Sequence, residues 1–425
     1  MDPLTYLSWP ALPWKRLCRV PRELEPVTDR APETAPRDVG LSRAGVERIW
    51  QSVETLYRTG LHPALQLCVR HRGAIVLDRS IGHAAGNAPG DSPHAHKRIV
   101  TTDTPFRIYS ASKAVTAMVV HLLDDRGVLH IDDRVCDYLP EFGSGARSQI
   151  TIAHVLCHRA GIPNPPPAAM DLDLVARPDE LVKMLAAIPL VGRPGRQLAY
   201  HAVTGGFVLG EVVRRASGQD IRSVLTKEIR EPLGLRWMNY GVADEDVEQV
   251  ARDAITGMPP LPPFAQLFTR ALGVPAEQVV ELAHDPRFLA GILPAANVVS
   301  NARDLSTFFE CLRCHGELDG VRVFEPRTVR RATAERSYFE VDLTLGLPLR
   351  YGLGFMLGGQ WLSLFGPDTP HAFGHLGFTN VIGWADPERE LSAALVTSGK
   401  PFLDIEVVRF YQCLMAIGRE IPKRR

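Results

Sequence analysis

Apolar and polar positions alternate with different periods along the chain, and these periods predict strands near both ends of the chain and helices between them. Apolar residues recur at helical spacing from Ser42 to Thr59, where Ser42 is placed to cap the helix N-terminus. Two apolar runs follow, Ala64 to His71 and Ala74 to Ser80, and the Arg-Gly pair between them is typical of a hairpin turn. A helix followed by a β-hairpin is therefore predicted here.

Helical patterns dominate residues 121 to 294, where they are joined by proline-rich loops. A further helix is predicted to begin at Ala302, and a last helix is predicted from Leu403 to Arg419. Four late strands are predicted at Tyr351 to Leu357, Trp361 to Phe365, Val381 to Ala385 and Ser392 to Thr397. Early and late strands with helices between them predict an α/β (α+β) fold, in which one discontinuous domain holds an inserted helical domain.

The sequence pattern predicts that the chain is organised in three parts. Residues 1–40 are rich in proline, contain Trp9 and Trp14 and show no lasting period, so an N-terminal arm is expected that packs on the body or on a second copy of the chain. Residues 41–120 and 295–425 are expected to form the α/β domain. Residues 121–294 are expected to form the mainly helical insertion domain.

Composition and charge exclude several functional classes. Lys plus Arg balance Asp plus Glu at 48 each, so there is no positive surplus for nucleic acid or for an anionic membrane. The longest apolar runs are interrupted well short of a membrane-spanning length. The N-terminus has neither the basic start nor the apolar core of a signal peptide, so a cytoplasmic protein is expected.

The sequence predicts neither a metal nor a cofactor. Seven cysteines are expected to be reduced and structural. Cys311 to His315 has the spacing of a haem c attachment site, but it continues the helix predicted from Ala302, and no export signal is visible. His154 and His158 lie four apart on a predicted helix face, where capping or polar contacts in the core are expected rather than metal binding.

One Ser-x-x-Lys sequence, Ser110 to Lys113, stands at the start of a predicted helix. Residues three apart share a helix face, so the hydroxyl of Ser110 and the amine of Lys113 project together, as a nucleophile beside its base. The helix N-terminus adds N–H donors that favour an oxyanion. The same spacing also occurs on ordinary solvated helices, so the interpretation depends on two further segments.

The first of these segments, Pro194 to Phe207, places Tyr200 between a Pro-Gly turn and a helix predicted from Gly206 to Ala216. A nearby cation is expected to lower the pKa of the Tyr200 phenol, so that the phenol relays a proton. The second segment, Phe373 to Asn380, has His375 between two glycines. Such glycines are typical of a strand whose backbone lies close to another group, and a substrate carbonyl is the expected group.

In chain order, Ser110-x-x-Lys113, Tyr200 and His375-Leu376-Gly377 resemble the motifs of the serine β-lactamase-like superfamily, which includes class C β-lactamases, DD-peptidases and family VIII carboxylesterases. The resemblance covers about residues 41 to 420. It implies a β-lactamase/DD-peptidase-like fold, with an antiparallel sheet flanked by helices and an inserted mainly helical domain.

Two departures from the family pattern favour an ester as the substrate. Penicillin-cleaving relatives have Tyr-x-Asn, whereas this chain has Ala202 at the third position and lacks that partner for the substrate amide. They also have Lys-Thr-Gly where this chain has His375-Leu376-Gly377, so an imidazole that is mostly neutral at pH 7 replaces a fixed cation. The resemblance is therefore nearest to family VIII carboxylesterases. No Gly-x-Ser-x-Gly motif supports an α/β-hydrolase.

The resemblance implies acyl transfer in two steps. Ser110 attacks the carbonyl while Lys113, kept neutral by desolvation and by coupling to Tyr200, accepts the proton, and Tyr200 passes a proton to the departing alcohol. The resemblance also implies that the backbone N–H groups of Ser110 and Phe378 form the oxyanion hole. Water then resolves the acyl-enzyme.

Substrate binding is expected close to these motifs. His375 and Gly377 are expected to orient the substrate or the catalytic tyrosine. Tyr109, Leu376 and Trp384 are candidates for lining the pocket, and their side chains favour a short or medium apolar acyl group in a small-molecule ester.

Other functions use the same fold. A β-lactamase or D-amino-acid peptidase would use the same catalytic groups. An acyltransferase acting on a small metabolite is not distinguished by sequence, because residues 240–294 would build the acceptor pocket. A non-catalytic binding member is disfavoured because the catalytic serine, lysine and tyrosine are all present.

Overall fold

The computed structural model describes residues 6–7, 16–260, 262, 264–402 and 404–424. Its strands are β1 Tyr6–Leu7, β2 Val20–Pro21, β3 Thr28–Arg30, β4 Ala64–His71, β5 Ala74–Ala85, β6 Arg98–Ile99, β7 Phe106–Arg107, β8 Asn239–Tyr240, β9 Ala254–Ile255, β10 Val298–Ser300, β11 Glu317–Leu318, β12 Val321–Arg322, β13 Ser337–Val341, β14 Pro348–Tyr351, β15 Met356–Leu357, β16 Phe373–Leu376, β17 Ile382–Asp386, β18 Leu391–Thr397 and β19 Gly399–Lys400. Its helices are α1 Arg43–Tyr57, α2 Ser112–Asp125, α3 Val135–Tyr138, α4 Ile152–Leu156, α5 Leu172–Val175, α6 Pro178–Ala187, α7 Thr204–Ser217, α8 Ile221–Leu225, α9 Phe264–Leu272, α10 Ala276–Leu282, α11 Pro286–Ala290, α12 Ala302–Arg313, α13 Pro326–Ala332 and α14 Glu406–Glu420.

A ten-stranded antiparallel sheet is the centre of the fold. Its order is β13-β14-β15-β16-β17-β18-β4-β5-β3, and β6 also pairs with β5. The strands β4 and β18 pair from Leu65 opposite Thr397 to His71 opposite Leu391, so the sheet joins an early strand to a late one. The sheet and its helices confirm the predicted fold class.

Helices cover both faces of this sheet. Neighbouring residues of a strand point to opposite faces. In β5, Asp78 binds Arg303 of α12, whereas the next residue, Arg79, binds Glu47 of α1. The helix α12 therefore packs on one face and α1 on the other, where α14 lies beside α1. Because both faces are covered, β4 and β18 are buried almost throughout.

The local predictions near the start of the sheet are confirmed. The Ser42 hydroxyl accepts a hydrogen bond from the Gly45 N–H at 2.9 Å and caps α1. Arg72 and Gly73 have φ values of 53° and 85° and connect β4 to β5 as the predicted hairpin turn.

Two predicted strands near the end of the sheet are wrong in detail. The segment predicted from Tyr351 to Leu357 is divided between β14 and β15 by a turn that includes Gly354, at a φ of 102°. The segment from Trp361 to Phe365 forms turns, not a strand. Its first two residues are largely exposed, so the apolar run does not mark a strand buried in the sheet.

The helix predicted to carry both histidines is shorter than expected. The helix α4 ends at Leu156, and His158 lies beyond it with a φ of 61°, so His154 and His158 do not share a helix face. His154 does act as a cap, because its Nδ1 accepts a hydrogen bond from the Thr151 N–H at 3.2 Å.

The division into an arm, a discontinuous domain and an insertion stays a prediction. Within the predicted arm, β3 forms an edge strand of the main sheet, and Trp9 and Trp14 lie outside the described residues. Within the predicted helical insertion, β8 and β9 are short strands. None of the helices in the described part of the chain is long and apolar enough to cross a membrane.

Candidate active site

The serine of the Ser-x-x-Lys motif lies in a tight turn before α2 rather than inside the helix. A 3₁₀ turn spans Tyr109–Ala111, and α2 begins at Ser112. Ser110 is half-buried, whereas Ser112 is fully buried and its hydroxyl accepts a hydrogen bond from the Val298 N–H at 3.1 Å. Ser110 is therefore the accessible hydroxyl of the two, and Ser112 holds the strand β10.

Lys113 is buried and surrounded by acceptors. Its Nζ lies 3.0 Å from Oγ of Ser110, 2.7 Å from the carbonyl oxygen of Ala202 and 3.0 Å from that of Ala295. Burial lowers the pKa of Lys113 to about 7, because no carboxylate compensates for the lost hydration. A neutral amine donates its two N–H groups to the two carbonyls, which leaves its lone pair for the serine hydroxyl.

Tyr200 is the second side chain that contacts the hydroxyl group of Ser110. Its hydroxyl hydrogen-bonds Ser110, and its ring centroid lies 5.0 Å from Nζ of Lys113. Burial raises the pKa of Tyr200 well above its ordinary value, so the expectation of a lowered phenol pKa is wrong. Desolvation outweighs the hydrogen bond with Ser110, and the charge of Asp342 adds to the rise, so the phenol keeps its proton.

An aspartate missed in the sequence analysis holds the backbone of this tyrosine. Oδ1 of Asp342 accepts hydrogen bonds from the N–H groups of Tyr200, Thr344 and Leu345 at 3.0, 2.8 and 3.0 Å. Asp342 is 142 positions from Tyr200 and belongs to no motif. No local signal marks it in the sequence.

His375 lies beside the tyrosine as a neutral group. It is buried, its Nδ1 lies 2.6 Å from the carbonyl oxygen of Leu376, and its ring centroid is 6.2 Å from that of Tyr200. Burial lowers the pKa of His375 to about 3, with Lys113 adding to the shift. The position that holds a cation in penicillin-cleaving relatives therefore carries no charge near pH 7.

The glycines beside His375 make room for the protein's own backbone. A Cβ atom on Gly377 would lie 2.3 Å from the carbonyl oxygen of Ile108, and one on Gly374 would lie 2.3 Å from that of Gly383. The expectation that this backbone also lies close to a substrate carbonyl stays a prediction, and Gly377 lines the cavity beside Ser110. Gly377 also lets the end of β16 pack against the chain that leads into the serine turn.

Phe378 follows this glycine in the loop after β16. In the part of the chain that the structure describes, its N–H donates to no protein acceptor. Because Gly377 packs against Ile108, Phe378 is brought to the serine turn, and its ring centroid lies 5.5 Å from that of Tyr109.

A cavity of about 520 Å³ opens beside Ser110 and Tyr200. Leu376 and Gly377 line it, together with residues of α9, α14 and the segment 362–364. The expectation that Tyr109 and Trp384 line the pocket is wrong, because both side chains are buried away from it. Trp384 is a residue of β17 and belongs to the hydrophobic core.

Tyr109 belongs to a buried charge cluster behind the serine. Its hydroxyl donates to Oδ2 of Asp253 at 2.7 Å, and that carboxylate also contacts Arg107 at 2.5 Å and Lys400 at 3.4 Å. Although burial opposes ionisation, Arg107 and Lys400 hold the pKa of Asp253 below its ordinary value. Tyr109 has a φ of 48°, so the cluster fixes a strained residue next to Ser110.

Among the described residues, no group of three or more His, Cys, Asp or Glu side chains is placed to hold a metal ion. Cys311 is buried in α12, and Sγ of Cys314 lies 3.3 Å from a guanidinium nitrogen of Arg313. The haem-like spacing thus falls at the end of an ordinary amphipathic helix.

Comparisons with known proteins give consistent matches. The family model described as Beta-lactamase matches residues 52–412. The protein named Esterase/beta-lactamase LipL, from Mycobacterium tuberculosis, is 30% identical over 311 residues, which are 70% of this chain and 70% of that protein. A crystal structure of a family VIII carboxylesterase has a TM-score of 0.74 at 26% identity and covers 88% of this chain and 98% of its own. A penicillin-binding protein homologue from Caulobacter crescentus also has a TM-score of 0.74 at 26% identity, and covers 90% of this chain and 99% of its own.

Proposed function

The chain belongs to the beta-lactamase family, and from that premise we propose that it hydrolyses carboxylic esters of short or medium apolar acyl chains through an acyl-enzyme on Ser110. It is a serine hydrolase of the carboxylesterase type. The observation that carries the proposal is the position of the buried Lys113, whose Nζ lies 3.0 Å from Oγ of Ser110. An amine with a pKa of about 7 can accept a proton at neutral pH, which an ordinary lysine cannot.

In the first step, Oγ of Ser110 forms a bond to the ester carbonyl carbon while its proton passes to Nζ of Lys113. The carbonyl oxygen becomes an oxyanion, to which the backbone N–H groups of Ser110 and Phe378 donate hydrogen bonds. Removing one such donor typically costs about 10²–10³-fold in rate. The carbonyls of Ala202 and Ala295 hold the amine in place through this transfer.

In the second step, the bond to the alcohol oxygen breaks and Tyr200 donates its proton to that oxygen. The raised pKa of Tyr200 suits this role, because a phenol that keeps its proton is a donor. The tyrosine recovers a proton from the ammonium of Lys113. Water then attacks the carbonyl carbon of the acyl-enzyme and gives a proton to Lys113. The bond between that carbon and Oγ of Ser110 breaks, Oγ takes the proton back from the lysine and tyrosine pair, and the acid leaves.

The site favours a neutral ester over a charged amide. No Lys or Arg is among the described residues that line the cavity, and His375 is neutral near pH 7. A β-lactam carboxylate therefore finds no cation. Comparing turnover of a p-nitrophenyl ester and a chromogenic cephalosporin tests the assignment, and a kcat/KM that favours the cephalosporin would reverse it.

The pH dependence of activity provides one prediction. We expect kcat/KM to rise with pH through about 7, because the pKa of Lys113 is lowered to about 7 and only the neutral amine accepts the serine proton. The buried imidazoles around Lys113 stay neutral over this range, since burial lowers the pKa of each one: His158, His201 and His375. The measurement is kcat/KM for a p-nitrophenyl ester from about pH 5 to about pH 9.

Tyr200→Phe is the control for this profile. It should lower kcat while leaving the midpoint in place, since the phenol stays protonated through the range. A flat profile, or a midpoint that moves in this variant, would contradict the assignment of the ascending limb to Lys113.

A second prediction concerns the preference for esters. Ala202→Asn combined with His375→Lys restores the two groups of penicillin-cleaving relatives, and Ala202 lines the cavity. We expect the ratio of cephalosporin to ester kcat/KM to rise about tenfold to a hundredfold, from one hydrogen bond and one charge pair. Each single variant serves as a control. An unchanged ratio in a folded double variant that a phosphonate still labels would show that cavity shape sets the preference.

A further inference from the structure

The cavity beside Ser110 is much larger than a short acyl group needs. Its volume of about 520 Å³ lies within the range of roughly 300–1,000 Å³ that holds drug-sized ligands. Its lining runs from Ser110 to Phe410 and Leu414 on α14 and to Ala271 and Leu272 on α9. The cavity therefore extends beyond the catalytic groups into the space between two helices.

One wall of this cavity is a row of aromatic rings that begins at the serine turn. Phe378 lies 5.5 Å from Phe402, and Phe402 lies 5.5 Å from Phe268 of α9, measured between ring centroids. All three rings line the cavity. A substrate group that contacts the whole row must extend past Phe378 by two ring-to-ring steps, which an acetyl group does not do.

The mostly apolar lining of the cavity indicates that the substrate group that enters it is apolar. The one carboxyl group among the described lining residues, that of Glu406, is 2% exposed, and burial raises its pKa. The opening is apolar too: Leu362 and Val407 line the cavity and are 57% and 47% exposed. An apolar group thus meets matching surface from the opening inward.

We propose that the substrate carries a large apolar group, the size of an octanoyl chain or larger, which lies in the cavity between α9 and α14 along Phe378, Phe402 and Phe268. The inference rests on the proposed ester hydrolysis and adds that one side of the ester bond carries a large apolar group. Either side of the ester bond supplies this chemistry, as the acyl chain of the acid or the alkyl chain of the alcohol. Each methylene buried there raises kcat/KM about fourfold.

The test compares two ester series on the full-length enzyme, below the concentration at which the esters aggregate. The p-nitrophenyl esters from acetate to decanoate vary the acyl chain, and acetates from ethyl to decyl vary the alcohol. We expect kcat/KM to rise at least about 100-fold from the shortest to the eight-carbon member of one series. The series in which kcat/KM rises with chain length shows whether the acyl chain or the alcohol chain occupies the cavity. A flat or falling profile in both series overturns the inference.

A variant on α9 tests the location. Ala271 is buried and lines the cavity, so Ala271→Phe fills part of it, whereas Gln266→Phe places the same side chain on the exposed face of α9. We expect Ala271→Phe to lower the octanoate-to-acetate ratio of kcat/KM about tenfold, and Gln266→Phe to keep the wild-type ratio. The octyl-to-ethyl ratio for the acetates is measured in the same way, and equal ratios for both ester series in both folded variants would place the apolar group outside this cavity.

Phosphonates separate failure of this inference from failure of the proposed function, and they need no variant to fold. The wild-type enzyme is treated with methyl and octyl p-nitrophenyl phosphonates, and the adduct is located by mass spectrometry. Faster labelling of Ser110 by the octyl compound supports the inference. Labelling of Ser110 at equal rates excludes the acyl side, and together with a flat series of acetates it overturns the inference but leaves the ester hydrolase in place. No labelling together with no ester turnover rejects the proposed function itself.

Discussion

Ser110→Ala is expected to lower kcat for a p-nitrophenyl ester by about 10⁴-fold or more, because loss of a covalent nucleophile removes the acyl-enzyme route. The serine lies in the turn Tyr109–Ala111, 3.0 Å from the amine of Lys113. Replacement by alanine removes a half-buried hydroxyl that faces a cavity, so the fold should be kept. Mass spectrometry after phosphonate treatment should find the wild-type adduct on Ser110 and no adduct in the variant.

Ser112→Ala is the matched control, since it removes a hydroxyl two positions away. Its Oγ accepts from the Val298 N–H, so this variant leaves a buried donor unpaired and should lose about 1–3 kcal/mol of stability. Its kcat should stay within about tenfold of the wild type, because the hydroxyl does not face the cavity. A phosphonate adduct on Ser112, or comparable loss of kcat in both variants, would contradict the assignment of the nucleophile.

Lys113→Arg is expected to be almost inactive although it keeps a positive charge. Guanidinium does not lose its proton in the working range of pH, so it cannot accept the proton of Ser110. The loss in kcat should reach about 10³-fold or more, since general-base catalysis contributes typically 10²–10⁴-fold. The measurement is kcat between about pH 6 and about pH 9, where the rise seen in the wild type should disappear.

Lys400→Arg is a suitable control for this variant, because Lys400 is also fully buried and its pKa is also lowered, to about 8. It contacts Asp253 at 3.4 Å and not the serine. Arginine there keeps the charge that the carboxylate needs, so the ascending limb of the pH profile should survive. Wild-type turnover by Lys113→Arg would remove Lys113 from the chemistry.

The sequence alone predicts those features whose residues lie a few positions apart. Ser110 and Lys113 are three apart, and the turn between β4 and β5 needs only Arg72 and Gly73, so local stereochemistry suffices for both. The prediction that Tyr200 is a catalytic residue depends on the family resemblance rather than on spacing.

The remaining parts of the site depend on contacts between distant positions. Asp342 reaches the backbone of Tyr200 across 142 positions, and Asp253 reaches Arg107 across 146. The direction of the pKa shift of Tyr200 was predicted wrongly for the same reason, because burial is a property of the packed fold and not of neighbours in sequence. The cavity likewise combines α9, α14 and the loop after β16.

The pairing of β4 with β18 joins two parts of the chain that are synthesised far apart in time. Ala64 and Ser398 are joined by a hydrogen bond across 334 positions, so the central pair closes a very long loop. Such pairings form slowly and after local structure. On the ribosome, the serine turn emerges long before Phe378 and β18 are made. On the proposed mechanism, the nascent chain therefore carries Ser110 before the N–H group of Phe378 is made, and we expect hydrolytic activity only once synthesis has passed β18 and the sheet has closed.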